Sequence, residues 1–184
     1  MAESPSVDDE LREAARANPG RWLYVIDEFF DPDGEVPPFG VAGAWQVDEH
    51  GQIGEFQPNP RYRPSPLALG YPEPTDELDA AIQLGSADYL NDAEIAPLFM
   101  DADVLTGIRE DDRIPLFGDH GDQTAHAYTA RPHLPAMLPE GVREWRHIRG
   151  GELVALLPAG IGIAINPATL GIHLPRADFD RLRP

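Results

Sequence analysis

A short stretch near residue 120 carries the side chains best suited to metal chemistry. Asp119, His120, Asp122 and His126 fall within eight residues of one another. Carboxylates and imidazoles bind divalent cations, and a metal with open coordination positions activates water for hydrolysis. The spacing matches no established ligand motif, however, and Asp and Gly are ordinary turn residues. We therefore interpret the stretch as a hairpin loop and predict no metal site; a metal-dependent hydrolase that uses Asp119–His126 is the alternative.

A second acidic segment, between residues 27 and 35, suggests calcium. An EF-hand loop requires Gly at its sixth position, whereas Gly34 falls at the fourth position counted from Asp31. The flanking sequence also lacks a helical pattern. We interpret the segment as a solvated acidic turn, whose carboxylates are Asp27, Glu28, Asp31, Asp33 and Glu35.

In the first hundred residues, two arginines flank an aromatic residue at one place only, which is Arg61-Tyr62-Arg63. Arg and Tyr are enriched at protein interfaces, so these three residues predict a partner-binding surface. The alternative is that both arginines pair with the excess carboxylates of the chain itself.

Composition excludes several kinds of chemistry. The 184 residues include no cysteine, which excludes disulfides, thiolate catalysis and iron–sulfur clusters. All 14 basic residues are arginine, so the chain has no lysine for a P-loop or a pyridoxal Schiff base. Because no nucleophile elbow or dinucleotide fingerprint is present either, we predict no catalytic residue and no cofactor.

The net charge of −18 bears on partners and location. A surface this acidic repels phosphate backbones and anionic membranes, so we expect neither nucleic acid nor a membrane as a partner. Residues Ala2–Arg16 are acidic and polar, unlike a signal peptide, which predicts a cytoplasmic location. Leu153–Ile165 is too short to cross about 30 Å of hydrocarbon and is interrupted by Pro158.

The predicted helices and strands are organised around Gly150–Pro175, the densest apolar stretch of the chain. Glu152–Leu157 has the composition of a short helix. Ile161, Ile163 and Ile165 then alternate with Gly and Ala, as in a strand buried on both faces. Asn-Pro makes a turn, and Gly171–Leu174 returns as a second strand.

The first half predicts a flexible acidic tail and a small sheet. Residues 1–18 form the tail, with the pattern of one short helix whose apolar side is thin. Three strands follow as an antiparallel meander over residues 22–57, at Trp22–Ile26, Phe39–Val47 and Gln52–Gln57. Residues 59–74 are rich in proline and predict an extended connector.

The second half alternates helices and strands. Thr75 or Asp76 caps a helix, and a further helix begins either after Asn91 or near Ala96, because Pro97 favours a first turn. Beyond them we predict strands at Asp103–Ile108, Ile114–Phe117, Thr124–Thr129 and Val142–Ile148, a short helix or loop at Pro132–Leu138, and a final helix at Ala177–Arg183 docked through Phe179 and Leu182.

These elements predict an α+β fold: a mixed, largely antiparallel sheet with helices mainly on one side. We expect one domain over residues 19–184, divided into a meander with its proline-rich connector (19–74) and a second portion (75–184).

Three segments of the second half resemble the N-terminal SseB domain of bacterial proteins. They are Ile114–Phe117, His126–Ala130 and Gly151–Pro175, the last with a strand closed by Asn166-Pro167. The resemblance implies an SseB-like fold.

The first half resembles proteins associated with type VII secretion in high-GC Gram-positive bacteria. The likeness is carried by NPGRWLYVIDEFFDPDGEVPPFGVAGAW and FQPNPRYRPSPLALGYPEPTDELDAAIQL. This family implies an intracellular accessory protein and brings no catalytic residues. Exported cargo of that system carries Trp-x-Gly and a Tyr-x-x-x-Asp/Glu tail signal; here Trp-x-Gly is missing, and Tyr24 with Glu28 lies on a predicted strand.

We therefore expect a non-enzymatic accessory protein that binds other proteins, including secretion components. The alternatives are the hydrolase at Asp119–His126 and an immunity protein whose negative surface neutralises a basic target.

Overall fold

The computed structural model of the protein describes residues 6–119 and 121–182. The fold is α+β, as the sequence predicts. The chain forms two compact units, Met1–Tyr71 and Pro72–Pro184.

Among its described residues, the first unit contains one α-helix, one short 3-10 helix (Pro38–Gly40) and a three-stranded antiparallel sheet of order β1-β2-β3. The predicted meander is therefore confirmed. Its elements are α1 (Asp9–Ala17), β1 (Trp22–Ile26), β2 (Val41–Val47) and β3 (Ile53–Pro58).

Helix α1 lies in the segment predicted as a flexible tail. Asp8 caps it by accepting a hydrogen bond from the backbone N–H of Leu11 at 2.8 Å. Ala15 is fully buried, and the helix backbone approaches the β2–β3 turn closely at Gly51. Because Gly51 has no side chain, the helix contacts the turn through its backbone and does not need a large apolar stripe. The sequence pattern alone does not reveal this contact.

The described part of the second unit contains a six-stranded sheet, four α-helices and a short 3-10 helix (Arg131–His133). The strand order is β7-β4-β6-β8-β9, with β5 paired to β6; β6 and β8 run parallel, and the other pairs are antiparallel. The elements are α2 (Glu77–Ser86), α3 (Asp92–Asp101), β4 (Asp103–Ile108), β5 (Leu116–Phe117), β6 (Thr124–Tyr128), β7 (Glu144–Arg149), α4 (Gly150–Leu156), β8 (Gly162–Ile165), β9 (Ile172–Leu174) and α5 (Arg176–Asp180).

The core of this unit lies between its helices and one face of the sheet. Ile163 and Ile165 are fully buried on β8, as predicted, and Leu174 pairs with Ile163 across the β8–β9 hairpin. Buried residues of all four helices join these side chains in one apolar cluster.

Two local predictions are resolved. Asn91 starts α3 through a capping box with Glu94, so Pro97 lies inside the helix. Phe179 of α5 is fully buried, but Leu182 is 41 % exposed. The prediction that Leu182 docks the final helix is wrong: α5 ends at Asp180, and Leu182 lies beyond its last residue.

Candidate functional site

The exposed face of the β1–β2–β3 sheet carries two aromatic side chains. Trp22 is 40 % and Tyr24 67 % exposed, and they pair with Gln46 and Ala44 across β1 and β2. Directly paired residues point to the same side of a sheet, so all four share one face. The groove on this face has a volume of about 380 Å³ and is lined by Trp22, Tyr24, Val41, Gly43, Ala44, Gln57, Pro58 and Asn59.

The opposite face of the same sheet holds the apolar packing that fixes the groove. Trp45 is buried and contacts Phe56, with ring centroids 5.0 Å apart. Gly43 is required beside them, because a Cβ at this position would overlap the ring of Phe56. The sheet that carries the aromatic rings of the groove is thus stabilised by apolar packing on its opposite face.

A buried carboxylate fastens the connector to the end of β1. Asp27 is 5 % exposed and accepts four hydrogen bonds. The Ser65 hydroxyl (2.6 Å) and the Phe29 N–H (3.1 Å) donate to Oδ1, while the Tyr62 hydroxyl (2.8 Å) and the Ser65 N–H (3.0 Å) donate to Oδ2. Burial alone would raise the pKa of Asp27, but these donors favour the charged form and together lower the pKa.

The three residues predicted to bind a partner have different environments. The Tyr62 hydroxyl is committed to Asp27, so this side chain holds the connector in place. The Arg63 guanidinium lies over the ring of Phe39, 5.6 Å from its centroid. Arg61 is exposed and follows Asn59 of the groove by two positions. Arg61 is therefore the member of the three whose position suits partner contact, and partner binding stays a prediction.

Asn59 ties this segment to the groove. Its side-chain amide donates to the carbonyl oxygens of Pro38 and Val41, both at 2.7 Å, and its side-chain oxygen accepts from the Arg61 N–H at 3.0 Å. The backbone of Arg61 is consequently held beside Asn59, at the edge of the groove.

Neither of the two segments rich in cation-binding residue types, 119–126 and 27–35, gathers its described side chains around one point. His126 stacks on Phe117 with centroids 4.0 Å apart, and burial lowers its pKa, while Asp119 and Asp122 are exposed. His120 lies outside the described residues. Of the acidic segment between residues 27 and 35, Asp27 is buried and bonded as above rather than solvated. Within residues 6–119 and 121–182, no three His, Asp or Glu residues are arranged to hold a metal ion.

The second unit contains a buried polar cluster that the sequence reasoning missed. Asp79 of α2 is 2 % exposed, and its Oδ2 lies 3.3 Å from Nε2 of His133. The His133 ring also contacts the hydroxyls of Thr75 (3.2 Å, at Nε2) and Thr169 (3.0 Å, at Nδ1). The cluster forms where the parallel strands β6 and β8 end, a common position for ligand sites in parallel sheets.

Asn166, directly after β8, completes the cluster. It is fully buried with a φ of 51°, its Oδ1 accepts from the Thr129 N–H at 3.0 Å, and its Nδ2 lies 3.4 Å from Asp79 Oδ1. An imidazole between a carboxylate and a hydroxyl is also the arrangement that activates nucleophiles. Here Asp79 additionally accepts the backbone N–H of Thr75, so each buried polar group is satisfied by its neighbours. The cluster therefore joins α2 to the ends of both strands.

Comparison with known proteins gives no match for this chain. No protein-family model, curated protein or solved structure matches it. In the parts of the chain that the structure describes, every helix is too short or too polar to cross a bilayer.

Proposed function

We propose that this chain is a non-enzymatic accessory protein of type VII secretion that binds a protein component of that system. Its binding surface, here called the aromatic groove, consists of the residues around Trp22 and Tyr24 with Arg61 at the rim. The observation that carries the proposal is the exposure of both aromatic rings on one face of a three-stranded antiparallel sheet. The link to secretion rests on the resemblance of the first half to proteins associated with that system.

The chemistry of the aromatic groove suits a protein partner. Trp, Tyr and Arg are the residues that most often dominate binding energy at interfaces. None of the residues lining the groove is charged, and Arg61 adds one cation at its edge. The volume of about 380 Å³ accommodates one or two apolar side chains. We infer that the occupant is a segment of a secretion component with an apolar anchor and a neighbouring carboxylate.

Site-specific photocrosslinking tests the proposal in cells of the native host. A photoreactive phenylalanine analogue replaces Tyr24, and a matched variant carries it at Met137, which is 82 % exposed in the other unit. We expect position 24, and not position 137, to crosslink a component of the secretion system.

Binding of that purified component then identifies the contacts. Since interface hot spots contribute about 2 kcal/mol or more, Trp22→Ala and Arg61→Ala should each weaken binding roughly 30-fold. Met137→Ala should leave it unchanged. Equal crosslinking at both positions, or crosslinked proteins unrelated to secretion, would refute the proposal.

A further inference from the structure

A second concave surface of the first unit lies between α1 and the turn that joins β2 to β3. It has a volume of about 410 Å³. We call it the basic pocket; its lining residues are Val7, Arg12, Arg16, His50, Gly51, Gln52, Ile53 and Gly54.

Backbone contacts hold the two walls of the basic pocket together. Gly51 has a φ of 77°, and a Cβ there would lie 3.1 Å from the Cα of Arg16. Asp48 Oδ1 accepts from the N–H groups of His50 and Gln52, both at 2.8 Å. These two hydrogen bonds set the turn that carries His50. The pocket is thus preformed by the fold, as ligand sites usually are.

The charge of the basic pocket runs against that of the chain. Acidic residues outnumber basic ones by 32 to 14, yet none of the lining residues is acidic and three of them are Arg or His. Arg12 and Arg16 are four residues apart on one helix, where like charges repel. The position of Arg16 in the last turn of α1 favours a cation by itself, but it does not explain why Arg12 and His50 converge there.

Neighbouring carboxylates balance this charge only in part. Asp9 pairs with Arg12 at 2.8 Å, fully exposed to water, where such a pair contributes little. Asp48 accepts hydrogen bonds from the N–H groups of its own turn, which lower its pKa, and its electrostatic interaction with His50 lowers the pKa further. Among the described residues, neither Arg16 nor His50 forms an ion pair. A bound anion would relieve the repulsion between Arg12 and Arg16.

We propose that the basic pocket binds a small organic phosphate monoester. Guanidinium groups match phosphate oxygens in a two-pronged geometry, and Arg12, Arg16 and His50 together suit a dianion. Val7 and Ile53 add an apolar wall for an organic group. Nucleic acid does not fit, because the net charge of −18 repels a long phosphate backbone. This site is independent of the aromatic groove and of its partner.

Titration of the ¹⁵N-labelled full chain by NMR tests the proposal. The probes are glycerol 2-phosphate, inorganic phosphate and sodium chloride at matched ionic strength. We expect saturable shifts at His50, Gly51 and the side-chain Nε–H of Arg16 with glycerol 2-phosphate, tighter than with inorganic phosphate, and none with chloride. Equal affinity for the two phosphates would refute the organic ligand. Shifts that follow ionic strength alone would refute the site.

Variants locate the binding. Arg16→Gln and His50→Gln should each weaken binding at least tenfold, while backbone signals away from the basic pocket remain in place and show that the fold is intact. Arg149→Gln is the matched control, since Arg149 is exposed like Arg16 and lies in the other unit. Unchanged affinity in both Arg16→Gln and His50→Gln would overturn the proposal.

Discussion

Replacing Asp27 by Asn should unfasten the connector from β1 with almost no change in shape. Each carboxylate oxygen accepts two hydrogen bonds, so an amide nitrogen in place of either one would face two donors. A hydrogen bond to a charged group contributes about 1.5–3 kcal/mol, and a buried donor left unpaired costs about 1–3 kcal/mol. Some donors can turn to water, so we expect the free energy of unfolding to fall by about 3 kcal/mol at neutral pH.

Urea unfolding followed by tryptophan fluorescence measures this change. The background is Trp145→Phe, because Trp22 and Trp45 then report on the first unit alone. Asp33→Asn, which removes an exposed carboxylate from the neighbouring loop, is the matched control and should change stability by less than about 0.5 kcal/mol. A comparably small effect of Asp27→Asn would refute the argument.

The pH dependence gives a second check on Asp27. Its pKa is lower in the folded state than the unfolded value of about 3.9. The charged carboxylate therefore contributes its full stability above pH 4, and this contribution is lost as the pH falls through the folded pKa. The stabilities of wild type and Asp27→Asn should converge below about pH 4. A difference that stays constant down to pH 2.5 would contradict the assigned pKa shift.

Two further pairs of substitutions test the second unit by urea unfolding, with Trp22 and Trp45 replaced by Phe so that Trp145 is the reporter. Gly150→Ala should destabilise it by about 1–3 kcal/mol, because the new Cβ would overlap the carbonyl oxygen of Phe99. Gly151→Ala should cost clearly less, because its Cβ would lie 3.3 Å from the carbonyl oxygen of Met100, a tight contact that a shift of a few tenths of an ångström relieves. Equal effects would contradict the close packing of α3 on α4. Asn166→Ala should lower the free energy of unfolding by about 2–4 kcal/mol, because it removes hydrogen bonds and places Ala at a positive φ. Asn166→Gly should recover about 1 kcal/mol of this loss, because Gly adopts a positive φ without strain. No recovery would show that the backbone at this position is unstrained.

Local sequence patterns were sufficient for most helices and strands. Residues 22–26 and 103–108 are bounded by turn residues and form strands with the predicted limits. The start of α3 was ambiguous because two local rules conflict. The structure shows that the capping box at Asn91 prevails, since Pro97 inside the helix forfeits one backbone hydrogen bond while the cap satisfies several N–H groups.

The aromatic groove was not predictable from the pattern of β1. All five residues of WLYVI are apolar, so no alternation of polar and apolar residues indicates which face is exposed. The exposed face is decided by the partners across the sheet: Trp22 and Tyr24 share it with Gln46 and Ala44, while Trp45 packs on the other side. Which face of β1 is exposed therefore depends on residues of β2 and β3, and the strand register decides which of them lie opposite Trp22 and Tyr24.

Two carboxylates, Asp27 and Asp79, have roles that the local sequence does not reveal. The sequence places Asp27 among acidic turn residues, and no local pattern distinguishes Asp79 from the other acidic residues of a chain that has 32. Both are buried, and their partners, Ser65 and Tyr62 for one, His133 and Asn166 for the other, lie far along the chain.

A carboxylate whose oxygens are occupied by the chain itself has little capacity left for a ligand. The acidic residues best protected from water are thus committed to structure. The concave surfaces of the first unit are lined instead by aromatic rings, at Trp22 and Tyr24, and by basic side chains, at Arg16 and His50, with the exposed Arg61 beside the first of them. In a protein of net charge −18, recognition should therefore depend on its few exposed aromatic and basic side chains more than on its abundant acids.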